Sequence, residues 1–405
     1  MLVGLLREEK IPRDRRVPFS PEQINYIRKL FPGTDFIIQP SSFRCFSDKE
    51  YEDAGIEVRE DLSDASLIMG IKEVPPTLLI PSKTYCFFSH TIKKQPHNRI
   101  LLQTIIEKNI RLVDYECLID PEGNRIIGFG RFAGVVGAYY GIMGYGQRYG
   151  LFDLRTPTGF HSIEELENEL TKVKLPNMKM IVTGGGRVAN GAIETLGALK
   201  IRKVTPYEFI NYSFREPVYV QLHSQDYNRS KDDFPFNHTE FLKHPGDFES
   251  SFIRFAPVCD ILIHCSYWDP RAPKLFSLEE MNSPAFHISV IADITCDVNG
   301  SIPSTTRTTT IDDPFFGYDP LTQKIADPFS LNTITVMAVD NLPTALPRDA
   351  SQDFGKNLIE RVMPALLGND GEGLIERASL TKNGKLMPRF SYLEDYAIKV
   401  EKTCQ

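Results

Sequence analysis

The run Met180-Ile181-Val182-Thr183-Gly184-Gly185-Gly186-Arg187-Val188-Ala189 carries the sharpest chemical signal in this sequence. An apolar strand leads into Gly184-x-Gly186-x-x-Ala189, and a helix follows with Val188, Ala192, Leu196 and Leu199 on one face. Gly184 permits a tight turn, Gly186 lets backbone approach a pyrophosphate, and Ala189 replaces the third glycine where helix packs on strand. The helix N-terminus at Arg187 would add N–H groups and a dipole for the phosphates. A dinucleotide is the expected ligand, and a structural turn is the bland alternative. The acid expected about 20 residues on, for the ribose hydroxyls, is absent, and Thr205 stands in its place. Arg187, Arg202 and Lys203 are close in sequence and would welcome a 2′-phosphate. NADP(H) is therefore modestly favoured over NAD(H), with solvated surface cations as the other reading.

Two further segments put proton-transfer groups at strand ends. Gly70-Ile71-Lys72-Glu73 places Lys72 after a buried strand, and Phe87-Phe88-Ser89-His90 does the same for His90. A lysine and a histidine there could share a cleft and exchange protons near neutral pH. A solvated lysine and a packed histidine fit the same residues. Arg16, just before Val17-Pro18-Phe19-Ser20-Pro21, could clamp a carboxylate with its planar fork. Asp114 and Glu116 offer carboxylates for a substrate ammonium, and Asp340, ahead of Asn341-Leu342-Pro343, reads as a site residue or a simple helix cap.

These residues need elements to hold them. Strands are expected at Leu2 to Leu6, Asp35 to Ile38, Ala65 to Ile71, Thr84 to Phe88 and Arg111 to Tyr115, with helices at Pro21 to Phe31 and Asn98 to Ile110. Such alternation predicts α/β layers around a mainly parallel sheet. Small residues recur from Arg131 to Leu151, which suits a long, closely packed helix. Ser162 with Glu165 predicts a capping box opening a helix to Val173. Residues 212–257 are polar and aromatic and read as an insertion, while Asp260 to Cys265 and Ile288 to Ile294 return to buried strands. Leu358 to Leu367 reads as a late apolar helix.

The 405 residues suffice for two domains, and 41% hydrophobic with 24% charged residues is ordinary globular composition. A net charge of -7 argues against nucleic acid as a partner. No apolar run is long enough to span a membrane, and the first six residues are too short for a signal-peptide core. The seven cysteines are scattered, without Cys-x-x-Cys spacing, so neither a metal site nor a disulfide framework is expected. A reduced, cytoplasmic protein is the simplest expectation.

The order of these segments resembles the saccharopine dehydrogenase and alanine dehydrogenase/transhydrogenase superfamily. It is most similar to the lysine-ketoglutarate reductase domain of aminoadipic semialdehyde synthases. The resemblance rests on Arg16 to Pro21, Gly70 to Lys72, Thr84 to Lys93, Arg111 to Glu116, Gly128 to Gly137 and the glycine turn. It continues through His244-Pro245, the pattern Phe248, Phe252, Ala256 and Pro257, Ser266 to Trp268, Ala292 to Ile294 and Asp340 to Pro347. It implies two Rossmann-like domains with parallel sheets and an active-site cleft between them. Residues 1–132 plus 341–405 would form the substrate domain, and 133–340 the dinucleotide domain with an insertion near 212–257. It implies Lys72 and His90 as an acid/base pair, Arg16, Glu116 and Asp340 at the substrate, and Gly184, Gly186, Arg187, Val188, Ala189 and Thr205 at the cofactor. The family carries an acid at the position of Thr205, which leaves the cofactor preference open. The implied reaction interconverts lysine, 2-oxoglutarate and NAD(P)H with saccharopine and NAD(P)+. An alanine dehydrogenase-like enzyme and a non-catalytic ligand-binding homologue are the alternatives.

Overall fold

The computed structural model describes residues 1–11 and 13–398, so Cys404 lies outside the described residues. Six strands come first: β1 (Leu2–Leu5), β2 (Asp35–Ile38), β3 (Glu57–Val58), β4 (Leu67–Met69), β5 (Thr84–Phe87) and β6 (Arg111–Asp114). Next are β7 (Lys179–Thr183), β8 (Arg202–Val204), β9 (Val218–Leu222), β10 (Asn228–Ser230) and β11 (Phe248–Ser250). Then come β12 (Ile261–His264), β13 (Val290–Asp293), β14 (Phe315–Asp319), β15 (Lys324–Ala326) and β16 (Ile334–Met337). The last two are β17 (Ser379–Lys382) and β18 (Lys385–Leu386). The helices used below are α1 (Pro21–Leu30), α2 (Arg99–Glu107), α3 (Gly130–Tyr149), α4 (Arg187–Ala198), α5 (Pro206–Asn211) and α6 (Pro347–Arg361).

The chain divides into two compact units. One holds Met1–Phe129 and the described residues from Pro347 on; the other holds Gly130–Leu346. The breaks fall a few residues from the expected 132/133 and 340/341. Residues 341–346 stay with the second unit because Leu342 packs on α3, its Cδ1 3.3 Å from where a Gly137 Cβ would stand.

The first unit is built on a sheet of order β18-β17-β6-β5-β4-β1-β2-β3, parallel from β6 to β3. Leu67, Ile68 and Met69 of β4 are all buried, as expected for a strand covered on both faces. Helix α1 starts where Ser20 and Gln23 form a reciprocal capping box, with Pro21 at its first position. Helix α6 begins well before the expected Leu358 and ends at Arg361, because Pro364 cannot donate to the ladder and a short π-turn follows it.

The second unit carries the order β15-β14-β16-β13-β12-β7-β9-β8. Two expectations are corrected here. The stretch 212–257 contains β9, a central strand pairing with β7 along its whole length, and is not purely an insertion. The strands β10 and β11 pair with each other outside that sheet, with a short helix, His238–Lys243, between them. The helix after Ser162 is capped by its hydroxyl, but Glu165 turns to the His161 N–H, so the box is not reciprocal.

Glycine spacing explains the contact of α3 with α4. A Cβ on Gly134 would lie 1.9 Å from the Val188 carbonyl oxygen, and one on Gly191 would lie 1.9 Å from the Arg131 carbonyl oxygen. The two helix backbones touch, and no side chain fits between them. Gly134→Ala should therefore destabilise the protein by at least the ~1–3 kcal/mol typical of overpacking, read as a lower midpoint in thermal unfolding. An unchanged midpoint would contradict this contact.

Candidate functional site

In the first unit β6, β5, β4 and β1 are neighbours and parallel, so their carboxyl ends share one edge of the sheet. Lys72 follows β4, His90 follows β5, Glu116 follows β6, and the charged loop to Arg16 follows β1. Open parallel sheets bind ligands at this edge.

A carboxylate the sequence reading passed over ties the cluster together. Glu73 Oε1 is 2.6 Å from His90 Nδ1, while Lys10 Nζ donates to Glu73 Oε2 at 2.7 Å. Burial works to raise the Glu73 carboxyl, but His90 and Lys10 outweigh it and hold the group well below the usual carboxylate range. His90 sits in the left-handed region at φ 53°, and its ring stacks on Phe88 at 6.4 Å. Such a backbone conformation in a non-glycine residue is uncommon and often marks a site where orientation matters.

Lys72 is largely buried. Desolvation, with the charges of Arg16 and Lys10, lowers its ammonium below the ordinary lysine value, against Asp14 and Glu73. Its backbone N–H and that of Ile71 donate to Glu8 at 2.9 and 2.6 Å. Burial and the negative charge of Asp14 push the Glu8 carboxyl up to about 8. Glu8, Lys10, Asp14 and Glu73 were all missed from sequence. Their signal was the density of charge directly after β1 and β4.

Arg16 joins the cluster, although its fork is already engaged. Its Nε and Nη2 donate to Asp14 at 2.9 and 2.5 Å, and the guanidinium lies 4.1 Å above the Phe129 ring. Burial would raise Asp14, but Arg16 holds it at about 2. Glu116 is buried; its Oε1 accepts from Arg125 at 2.9 Å with Lys93 3.6 Å away, and its Oε2 has no hydrogen-bond partner among the described residues. An unfilled buried acceptor is costly and suits a ligand's donor. Asp114, by contrast, is occupied by the backbone: it accepts from the Ser89 N–H and hydroxyl and from the Glu116 N–H, and burial raises it to about 6.

In the second unit β7 runs into Gly184, whose φ of +90° requires glycine. Gly186 is the N-cap of α4, followed by Arg187, Val188 and the fully buried Ala189. A Cβ on Gly186 would meet nothing within 4 Å, and its φ of -85° is open to any residue. Among the described residues no neighbour explains that glycine, whereas a pyrophosphate lying on the helix N-terminus does. The chain thus fits a dinucleotide at this turn. Asp340 belongs to this unit and is exposed; Asn341, not Asp340, holds the cap position of the short helix that follows. Thr205 also lies away from its expected place. It ends the outer strand β8 and caps α5 with Glu208, while β9 separates it from the glycine strand.

Residues 4–136 match the family model "Alanine dehydrogenase/PNT, N-terminal domain". The mouse mitochondrial alpha-aminoadipic semialdehyde synthase is 31% identical over 97% of this chain and 47% of its own length. Saccharopine dehydrogenase [NAD(+), L-lysine-forming] of Schizosaccharomyces pombe is 27% identical over 89% of this chain and 91% of its own. Over most of its length the chain is thus similar to aminoadipic semialdehyde synthase and to saccharopine dehydrogenase, and over residues 4–136 to the alanine dehydrogenase/PNT N-terminal domain. Two solved structures share its α/β fold. An L-alanine dehydrogenase structure aligns with a TM-score of 0.64 at 17% identity, covering 98% of this chain and 100% of that one. Sinorhizobium meliloti transhydrogenase gives 0.59 at 16%, covering 96% and 100%. The chain spans about half the length of the aminoadipic semialdehyde synthases it matches.

Two outcomes follow from this geometry. Glu8 holds its proton more tightly when folded than when unfolded, so its stabilising contribution is full below about pH 4 and is lost as pH rises towards 8. Glu8→Gln has no proton to lose, and its stability relative to the parent should climb over that interval in denaturant titrations. A constant difference would mean that Glu8 ionises as an ordinary carboxylate. At the glycine turn, Gly186→Val should leave thermal stability unchanged and weaken dinucleotide binding by calorimetry. Unchanged affinity would remove the turn from the binding site.

Proposed function

We propose that this protein interconverts L-lysine, 2-oxoglutarate and a reduced nicotinamide dinucleotide with saccharopine, the oxidised dinucleotide and water. The observation that carries the reading is Lys72, with its lowered ammonium, beside the Glu73–His90 pair on one sheet edge. The named activities of the relatives point the same way.

The ε-amino group of lysine, with a pKa near 10.4, must lose a proton before it attacks the keto carbon of 2-oxoglutarate. Lys72, its ammonium disfavoured by burial and by Arg16, is the base. The attack forms a carbinolamine; His90 protonates its hydroxyl, which leaves as water and yields an imine. Glu73 holds His90 Nδ1 and so fixes the ring's orientation while the other nitrogen serves the substrate. When bound, the nicotinamide supplies hydride to the imine carbon, giving the secondary amine of saccharopine. Arg16 offers positive charge to a substrate carboxylate, and the open Glu116 Oε2 offers an acceptor to its ammonium; the exposed Asp340 is a candidate substrate contact of the second unit.

Gly184, Gly186, Arg187, Val188 and Ala189 hold the pyrophosphate, and NADP(H) is preferred over NAD(H). The first unit, with the C-terminal segment, serves the substrate, and the second serves the dinucleotide. Among the described residues no helix is long and apolar enough to cross a membrane. Six free cysteines among the described residues, four of them buried, suit a reducing compartment, which we take to be the cytoplasm.

The test is oxidation of NADPH or NADH with 2-oxoglutarate and a panel of amines including lysine and ammonia. Lysine should be the amine that supports turnover; ammonia alone doing so would replace this reading with an alanine dehydrogenase-like one. Lys72→Met and His90→Gln should each lower kcat by about 10²- to 10⁴-fold, with dinucleotide affinity unchanged. Near-parental turnover in both variants would refute the acid/base assignment.

A further inference from the structure

We propose that the 2′-phosphate of the cofactor is received by His223, Ser224 and Gln225 at the end of β9, together with His238. The proposal rests on the reading of this protein as an NADP(H)-dependent enzyme and names the residues that make the choice.

Strand order carries the argument. In a dinucleotide fold the ribose hydroxyls meet the residue ending the strand next to the glycine strand. By chain order that strand would be β8, ending at Thr205. In space it is β9, paired with β7 from Lys179↔Val218 to Thr183↔Leu222. His223 therefore emerges directly beside Gly184, while Thr205 is one strand further out. Thr205 is also spent locally, since its N–H and hydroxyl both donate to Glu208 Oε2 at 2.8 Å.

A cavity of about 300 Å³ opens there, lined by Gly184, Gly185, His223, Ser224, Gln225 and His238. Its volume is at the lower end of the ~300–1,000 Å³ of small-molecule sites. The middle glycine, which the dinucleotide motif does not require, has its reason here. A Cβ on Gly185 would stand 2.9 Å from His223 Cε1, so its absence lets the imidazole lie against the turn.

The chemistry of the lining selects the ligand. Among the described residues no carboxylate lines the cavity, so the usual acceptor for ribose hydroxyls is missing. Asp226, three residues beyond His223, is turned to the backbone, its Oδ2 accepting from the His223 N–H at 2.7 Å. Imidazole, hydroxyl and carboxamide groups offer donors instead, which suit phosphate oxygens. Positive charge is close: Lys203 Nζ reaches over β9 to Gln221 Oε1 at 2.7 Å, and Gln221 Nε2 holds the Gly184 carbonyl at 2.9 Å. Arg202, by contrast, is turned to Glu216 at 2.9 Å and to the Phe214 ring. His238 comes from the hairpin segment, whose Phe236, Phe241 and Phe248 pack together with centroids 5.2 to 5.5 Å apart. That cluster gives the excursion a task, holding His238 at the cavity rim.

Calorimetry on the whole chain with adenosine 2′,5′-bisphosphate and with AMP isolates the 2′-phosphate without any turnover. The bisphosphate should bind at least tenfold more tightly than AMP. His223→Asp should cut that ratio tenfold or more, with AMP bound at least as tightly as by the parent because the new carboxylate can accept from the ribose hydroxyls; His238→Ala should cut it less, and Thr205→Glu should leave it alone. His223 and His238 are exposed, so both variants should melt like the parent. A parental ratio near one, a ratio indifferent to His223→Asp, or a ratio lost in Thr205→Glu overturns the assignment while the enzymatic reading stands. Failure of both probes and of NADP+ and NAD+ to bind overturns the dinucleotide reading itself, and this proposal with it.

Discussion

Parallel pairing of buried strands is the constraint on which both candidate sites depend. Because β1, β4, β5 and β6 run the same way, their carboxyl ends form one edge, and the residues just past them are forced together. Lys72 with Glu73, His90 and Glu116 come from three separate segments of the sequence, yet each lies two to four residues beyond its strand. The same rule places Gly184 and His223 side by side at the ends of β7 and β9. Apolar burial of the strands supplies the driving force, and the polar residues at their ends follow where the sheet puts them.

Within the first unit, charge is arranged so that neighbours disagree about protonation. Arg16 holds Asp14 ionised at about 2, while burial keeps Glu8, a few residues away, neutral up to about 8. Lys72 is pressed towards its neutral form by the same desolvation and by the guanidinium of Arg16. Groups whose environments drive them apart in this way are what acid/base chemistry at neutral pH needs. Glu73 has a different part: ionised and clamped between Lys10 and His90, it orients rather than titrates.

The second unit shows how a small structural rule shapes a site. The Gly134 and Gly191 contacts bring α3 against α4 at backbone distance, which fixes the helix whose first turn faces the glycine loop. The hairpin β10–β11 and its aromatic cluster then add a histidine to a cavity that the sheet alone would leave open on one side.

The sequence by itself determined the elements whose signals are local. Strand β7, the turn at Gly184, helix α4, helix α1 and the alternation of the first 120 residues were all legible, because hydrophobic period and glycine act within a few positions. Lys72 and His90 were legible as strand-end residues for the same reason. What tertiary structure decided was every relation across the sheet. Strand β9 went unseen because Val218–Leu222 is only five residues in a polar stretch, and no local rule says which strand a sheet will insert beside β7. Thr205 was therefore given a place that pairing assigns to His223. Glu73 and Glu8 were invisible as partners of His90 and Lys72 because their roles rest on long-range contacts, with |i−j| of 17 for Glu73–His90 and 64 for Glu8–Lys72. Pairing energy depends on which strands meet, and that is settled only when the whole core is buried at once.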